Sequence, residues 1–164
     1  MLIKKPGLRI IKTWIAVFIS MVISVMRFGS GLSFYSAIAA IICMDTNVEG
    51  TYTKGINRIK GSIIGGLLAL AYLFFLGRFQ DGQILNLFLL SVFVFILIWA
   101  LSILGLNGAI SIACIVFLSV TLNHGHDPGG LPLDFAINRI IDTLIGVITA
   151  IFVNWFDFKL RKKL

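Results

Sequence analysis

Two stretches of this chain carry the same chemistry. Residues 56–69 read Ile-Asn-Arg-Ile-Lys-Gly-Ser-Ile-Ile-Gly-Gly-Leu-Leu-Ala, and residues 137–150 read Ile-Asn-Arg-Ile-Ile-Asp-Thr-Leu-Ile-Gly-Val-Ile-Thr-Ala. Seven of the fourteen positions are identical, and Ser62/Thr143 and Ile63/Leu144 are near matches. Apolar helices resemble one another by composition alone, but Asn-Arg is costly near a membrane and does not recur for that reason. Arg58 and Arg139 are therefore the first candidates for binding, with Asn57 and Asn138 beside them. The planar guanidinium fork suits a carboxylate, because it can hold both oxygens at once. Asp142 is the deepest acidic residue. It has Arg139 three positions earlier on the same helix, within pairing reach. Two readings stand side by side. In one, Asp142 and Arg139 form a local ion pair, with arginine snorkelling to the interface. In the other, the two arginines mark the two mouths of an anion pathway, and Asp142 is a gate, a proton-coupling group or a brake on anion binding.

Other chemistry is sparse. Asn123-His124-Gly125-His126-Asp127-Pro128-Gly129-Gly130 contains His-x-His with a nearby aspartate, but Gly and Pro make a turn the plainer reading, and no metal site is assigned. No nucleophile elbow, His-Glu-x-x-His or phosphate loop is present. Asp134 and Asp142 lie roughly 12 Å apart along a helix axis, too far for shared acid–base work. Cys43 and Cys114 sit inside apolar segments and read as small packing residues. The sequence thus points away from an enzyme and calls for no cofactor.

The elements that position these residues follow from composition. The 164 residues are 59% hydrophobic and 13% charged, with a mean hydropathy of +1.02. That leaves too little polar surface for a globule in water, so the lipid bilayer is part of the solvent. Continuous apolar runs without alternation exclude a membrane barrel, and backbone satisfaction in lipid then requires helices. The expected fold is all-α: a polytopic membrane protein in one transmembrane domain over 1–164, with no room for a separate soluble domain. Six segments are expected: Thr13–Phe28, read as a retained first helix rather than a cleaved signal, Leu32–Met44, one from near Asn57 to Gly77, Ile84–Leu104, Gly108–Leu122 and Phe135–Phe156. The second and fifth are short for a span.

The net charge of +7 reads as membrane orientation rather than nucleic-acid binding. Lys4, Lys5, Arg9 and Lys12 precede the first helix, and Lys159, Arg161, Lys162 and Lys163 follow the last. Placing both termini in the cytoplasm requires an even number of crossings. With six, Lys54, Arg58 and Lys60 are also inside, leaving only Arg27, Arg78 and Arg139 outside. Asp45, Thr46, Asn47 and Glu49 then form an inner loop, where pairing with Lys54 and Arg58 is plausible.

The two motif copies lie 81 residues apart, with an odd number of helices between them, so they point in opposite directions. This predicts two inverted three-helix repeats, about 8–77 and 84–157, a common plan for secondary transporters. Short helices at matching positions are the sequence pointer to a substrate site in such proteins, and the second and fifth fit. On ideal helices Asn138, Asp142, Gly146, Thr149 and Val153 share a face, as do Asn57, Gly61, Gly65, Leu68 and Tyr72. Gly61 and Gly65 form a GxxxG pattern, which allows close helix approach and reads first as packing.

The motif at 56–66 resembles the Arg-x-x-Gly-[Thr/Ser]-x-x-Gly signature of the fusaric acid resistance and aromatic acid exporter superfamily. The stretch 137–146 resembles its second signature, Arg-x-x-Asp-Thr-x-x-Gly. Arg58, Gly61, Ser62 and Gly65 match the first, and Arg139, Asp142, Thr143 and Gly146 match the second. Residues 34–53 are similar to the family's second helix and following loop, so the resemblance covers essentially the whole chain. It implies a plasma-membrane transporter, in particular an exporter, of organic and often aromatic carboxylates. Plant aluminium-activated malate channels are distant relatives with a related six-helix unit working as a homodimer, so a homodimer is implied as well. Read as a stand-alone six-helix domain, the chain is expected to depart from longer members in lacking a C-terminal cytosolic domain. An anion channel of the same architecture, or a non-transporting scaffold or partner subunit, remain the other readings.

Overall fold

A computed structural model describes residues 7–27, 33–76, 83–124 and 132–161. Among these the chain is helical with no strand. The helices are α1 (Leu8–Met26), α2 (Ser33–Cys43), α3 (Val48–Leu76), α4 (Gln83–Ile103), α5 (Ile110–His124) and α6 (Pro132–Arg161), with a short 3-10 turn at Asn107–Ala109 leading into α5. Four helices, α1, α3, α4 and α6, are long and apolar enough to cross a membrane, while α2 and α5 are shorter apolar helices.

Several helix ends differ from the hydropathy reading, and at α3, α4 and α6 the residues at the ends give the reason. α3 starts at Val48 rather than near Asn57. Asn47 stands just before it, and its Oδ1 accepts the Gly50 backbone N–H at 2.8 Å. That satisfies a donor which the first helical turn leaves open. Hydropathy detects the apolar run and misses the polar turns from Glu49 to Lys54. α6 likewise begins at Pro132, a first-turn position where the missing N–H costs nothing, and continues past Phe156 to Arg161. α1 starts at Leu8, five residues before Thr13. α4 stops at Gly105, the one described glycine with positive φ (70°). The Leu106 N–H bonds Leu101 O at 2.9 Å and the Gly105 N–H bonds Ser102 O at 3.1 Å, a two-bond cap that favours glycine. The expected boundaries at Phe28, Leu32 and Gly77 lie outside the described residues.

The chain divides into two compact units, residues 1–56 with 141–164, and residues 57–140. Both α3 and α6 contribute to each. In the first unit, α1 presents a stripe of buried residues four apart, Lys12, Ala16, Ser20 and Ser24. α2 answers with buried Ser36, Ala39, Ala40 and Cys43. Small side chains let the backbones approach closely, as helix pairs in membranes require, and Ser36 Oγ donates to Ser20 O at 3.2 Å. The later part of α6 packs onto this pair. At Gly146 an added Cβ would stand 2.2 Å from Ser36 O and 2.5 Å from Ala39 Cβ.

The second unit has a larger apolar core. Ala69 and Tyr72 of α3, Leu90, Leu97 and Leu101 of α4, and Ala113, Phe117 and Val120 of α5 are buried together. Tyr72 meets Phe93 and Phe117 edge-on, at 5.2 and 5.8 Å between centroids, a favoured aromatic geometry. Its hydroxyl donates to Asn86 Oδ1 at 2.5 Å. Gly65 lies so close to α5 that a Cβ there would stand 2.3 Å from Ala113 O. Gly65 and Gly146 are equivalent in the two motif copies and do the same job, each pressing its helix onto a short one.

Candidate functional site

The first motif copy lies wholly in the second unit. Arg58 is buried, 6% exposed, one turn before Gly61 and Ser62. Gly61 sits over the start of α5, where a Cβ would meet Ala109 O at 2.7 Å. Asn57 is half-buried, and its amide fills the space above Gly108. Ser62 is fully buried, and its Oγ makes no hydrogen bond among the described residues.

The second copy runs across the division of the chain. Asn138 is half-buried, and Arg139, 4% exposed, donates from Nη1 to Ser119 Oγ of α5 in the second unit. Asp142, in the first unit, is completely buried. Ser24 Oγ donates to its Oδ1 at 2.7 Å, and Arg27 Nη1 lies 3.7 Å from the same oxygen. A carboxylate withdrawn from water requires such donors, because the loss of its hydration is otherwise uncompensated. Sequence proximity singled out Arg139 as the partner of Asp142. The structure adds Ser24 of α1 and Arg27, the residue that follows this helix. Neither carries a sequence signal: a serine in an apolar helix is ordinary, and Arg27 reads as an interfacial charge.

A further polar cluster lies at the other end of α1. Buried Lys12 donates to Asn154 Oδ1 at 2.7 Å and pairs with Asp157 at 3.2 Å. Asn154, 2% exposed, turns its amide Nδ2 toward the α2–α3 turn. It donates to Asn47 O and Thr51 Oγ1, both at 2.8 Å, and to Asp45 O at 3.2 Å. One side chain thus ties α6 to α1, to the turn and to the start of α3. Its sequence signal was an asparagine in an otherwise apolar stretch. The expected pairing of Asp45 with Lys54 is present at 2.8 Å. That ion-paired hydrogen bond, with help from the Thr46 N–H, lowers the Asp45 pKa to about 2.

These contacts order the first unit. Lys12 meets Asn154 and Asp157 at one end, and Arg27 meets Asp142 at the other, so α1 and the later part of α6 run antiparallel. α2 starts beyond Arg27 and delivers the chain to Asp45 and Asn47, back at the Lys12 end.

Among the described residues no group of His, Cys, Asp and Glu is placed to hold a metal. The side chains of His124, His126 and Asp127 lie outside the described residues.

The sequence profile of aromatic acid exporter family member 1 matches residues 4–156. The chain belongs to the aromatic acid exporter family. As a family member with four long apolar helices it is a multi-pass membrane protein. It is 28% identical over 152 residues to a UPF0421 protein of Bacillus cereus, covering 93% of this chain and 40% of the relative. It is 27% identical over 150 residues to a UPF0421 protein of Bacillus thuringiensis strain Al Hakam, covering 92% and 39%. The chain therefore spans about two fifths of the length of these relatives. Both Asn-Arg motifs fall inside the region that matches the exporter family.

Proposed function

We propose that this chain forms the membrane domain of a transporter that exports organic carboxylates, aromatic ones among them, across the plasma membrane. The observation that carries this reading is a buried arginine at the same place in each motif copy, Arg58 and Arg139, in a chain of an exporter family. A guanidinium held in a low-dielectric setting attracts an anion far more strongly than one in water, and its fork selects carboxylates. Asn57 and Asn138 would add amide donors beside them. Asp142 would act as an internal carboxylate that sets the local charge.

The architecture we propose has six crossings as two inverted three-helix repeats, about 8–77 and 84–157, with both termini cytoplasmic and two copies per assembly. The return of α2 to the Lys12 end supports a crossing by this short helix. Purified protein in liposomes tests the function. Radiolabelled benzoate-type acids should accumulate above the level of empty vesicles. Arg58→Gln and Arg139→Gln should each lower uptake by about tenfold or more, the scale of one charge-assisted hydrogen bond to a bound anion. Uptake by both variants equal to the native protein would remove the arginines from the site. Current that scales with voltage and needs no ion gradient would identify a channel, and no flux at all from folded protein would favour a scaffold or partner subunit.

A further inference from the structure

In the first unit, α1 and the end of α6 do not close on each other along their outer side. They leave an apolar groove of about 420 Å³. Its walls are Ile11, Ile15 and Ile19 of α1 and Phe152, Val153 and Phe156 of α6. One turn inside its Leu8 end stand Lys12 and Asp157, already paired with each other. On α1 the groove runs from Leu8 to Ile19, a rise of roughly 16 Å. One leaflet of a bilayer's hydrocarbon is about 15 Å deep. The groove thus has the depth of a single leaflet, whereas a partner helix crossing the membrane would need a furrow about twice as long.

Charge selects the headgroup. Arg9 and Lys159 are exposed at the polar end of this helix pair, and Lys159 lies 5.0 Å over the Trp155 ring. The sequence supplies Lys4 and Lys5 before them and Arg161, Lys162 and Lys163 after them, against Asp157 as the one acid in these two stretches. Basic pockets between membrane helices favour anionic headgroups, and Trp with Lys is the usual furniture of the headgroup level. We infer that the α1–α6 groove is a binding site for an anionic phospholipid: one acyl chain lies over Ile11, Ile15, Ile19, Phe152 and Phe156, and the phosphate rests beside Arg9 and Lys159, at the Leu8 end. This site is separate from Arg58 and Arg139, and it stands or falls independently of transport.

Native mass spectrometry of the full chain, released from detergent containing phosphatidylglycerol or phosphatidylcholine, tests the site. The native protein should retain phosphatidylglycerol and little phosphatidylcholine. Ile15→Trp, which fills the groove, should lose the retained lipid. Phe95→Trp, at an exposed position of α4, should keep it and so controls for general effects of added bulk. Arg9→Gln with Lys159→Gln should erase the preference between the two lipids, each basic residue contributing about fivefold. Helical circular dichroism and a single elution peak confirm that Ile15→Trp is folded. If it fails to fold, Ile19→Ala with Phe156→Ala, which widens the groove, should weaken retention instead. Equal retention of both lipids by the native protein, or undiminished phosphatidylglycerol on the groove variants, overturns the proposal. So does a change of oligomeric state on Ile15→Trp with no retained lipid in the native protein, since a second copy then occupies the groove.

Discussion

Asp142 is the residue on which a substitution should tell most. Its carboxylate is buried with Ser24 and Arg27 against it. Removing the carboxylate leaves the fully buried Ser24 hydroxyl without that acceptor and half-buried Arg27 without its counter-charge. Asp142→Ala is expected to destabilise the protein by about 1–3 kcal/mol, read as a lower melting temperature in detergent. Asp142→Asn keeps an acceptor for Ser24 and should lose less. Equal loss from the two would show that charge, not hydrogen bonding, dominates the site. Asp45 offers a contrast on a wet loop. Its pKa of about 2 lies below the ordinary 3.8, so the ionised form is favoured by folding. The stability it contributes is fully present above about pH 4 and is lost as pH falls through about 2. Lys54→Ala should return the Asp45 pKa toward its ordinary value in a carboxyl NMR titration. Because Lys54 is 45% exposed, the loss of stability near neutral pH should stay below about 1 kcal/mol.

At the scale of elements, the helices are held by small residues meeting backbone. Gly65 faces Ala113 O and Gly146 faces Ser36 O at distances no methyl group can share. A helix carbonyl cannot move aside as a flexible side chain can. Gly65→Ala and Gly146→Ala should therefore each cost about 1–3 kcal/mol, the range for overpacking. Gly66 is adjacent, buried, and has only side-chain tips near 3.8–4.0 Å. Gly66→Ala should be neutral or stabilise by up to about 1 kcal/mol through helix propensity. Thermal melts of the three variants check this ordering. The neighbouring glycines look alike in sequence, and only the packing distinguishes them.

At the scale of the whole molecule, the compact units cut across the sequence repeats. The later part of α6 packs on α1 and α2, and the later part of α3 packs on α5. Each motif helix thus serves the pair of short and long helices from the opposite half of the chain. The proposed six crossings can be checked without a substrate. In a cysteine-free background, Gly7→Cys and Thr46→Cys should be labelled from the same side of the membrane by an impermeant maleimide, because α1 crosses and α2 returns. Labelling from opposite sides would mean that α2 does not cross, and the inverted six-helix plan would fail with it.

What the sequence determined by itself follows from solvent and periodicity. Its hydropathy required lipid and helices, its recurring Asn-Arg motif located Arg58 and Arg139, and those motifs carried the family likeness. Such signals are local, and a composition or a short spacing is enough to read them. Tertiary structure alone decided who meets whom. Ser24 and Arg27 reach Asp142 across 118 and 115 positions of chain, and Lys12 reaches Asn154 across 142. The closure of α1 against α6 that makes both contacts depends on the packing of small residues along α1, α2 and α6. Alanines, serines and glycines are common in every apolar helix, and a single sequence gives no sign of which of them face each other.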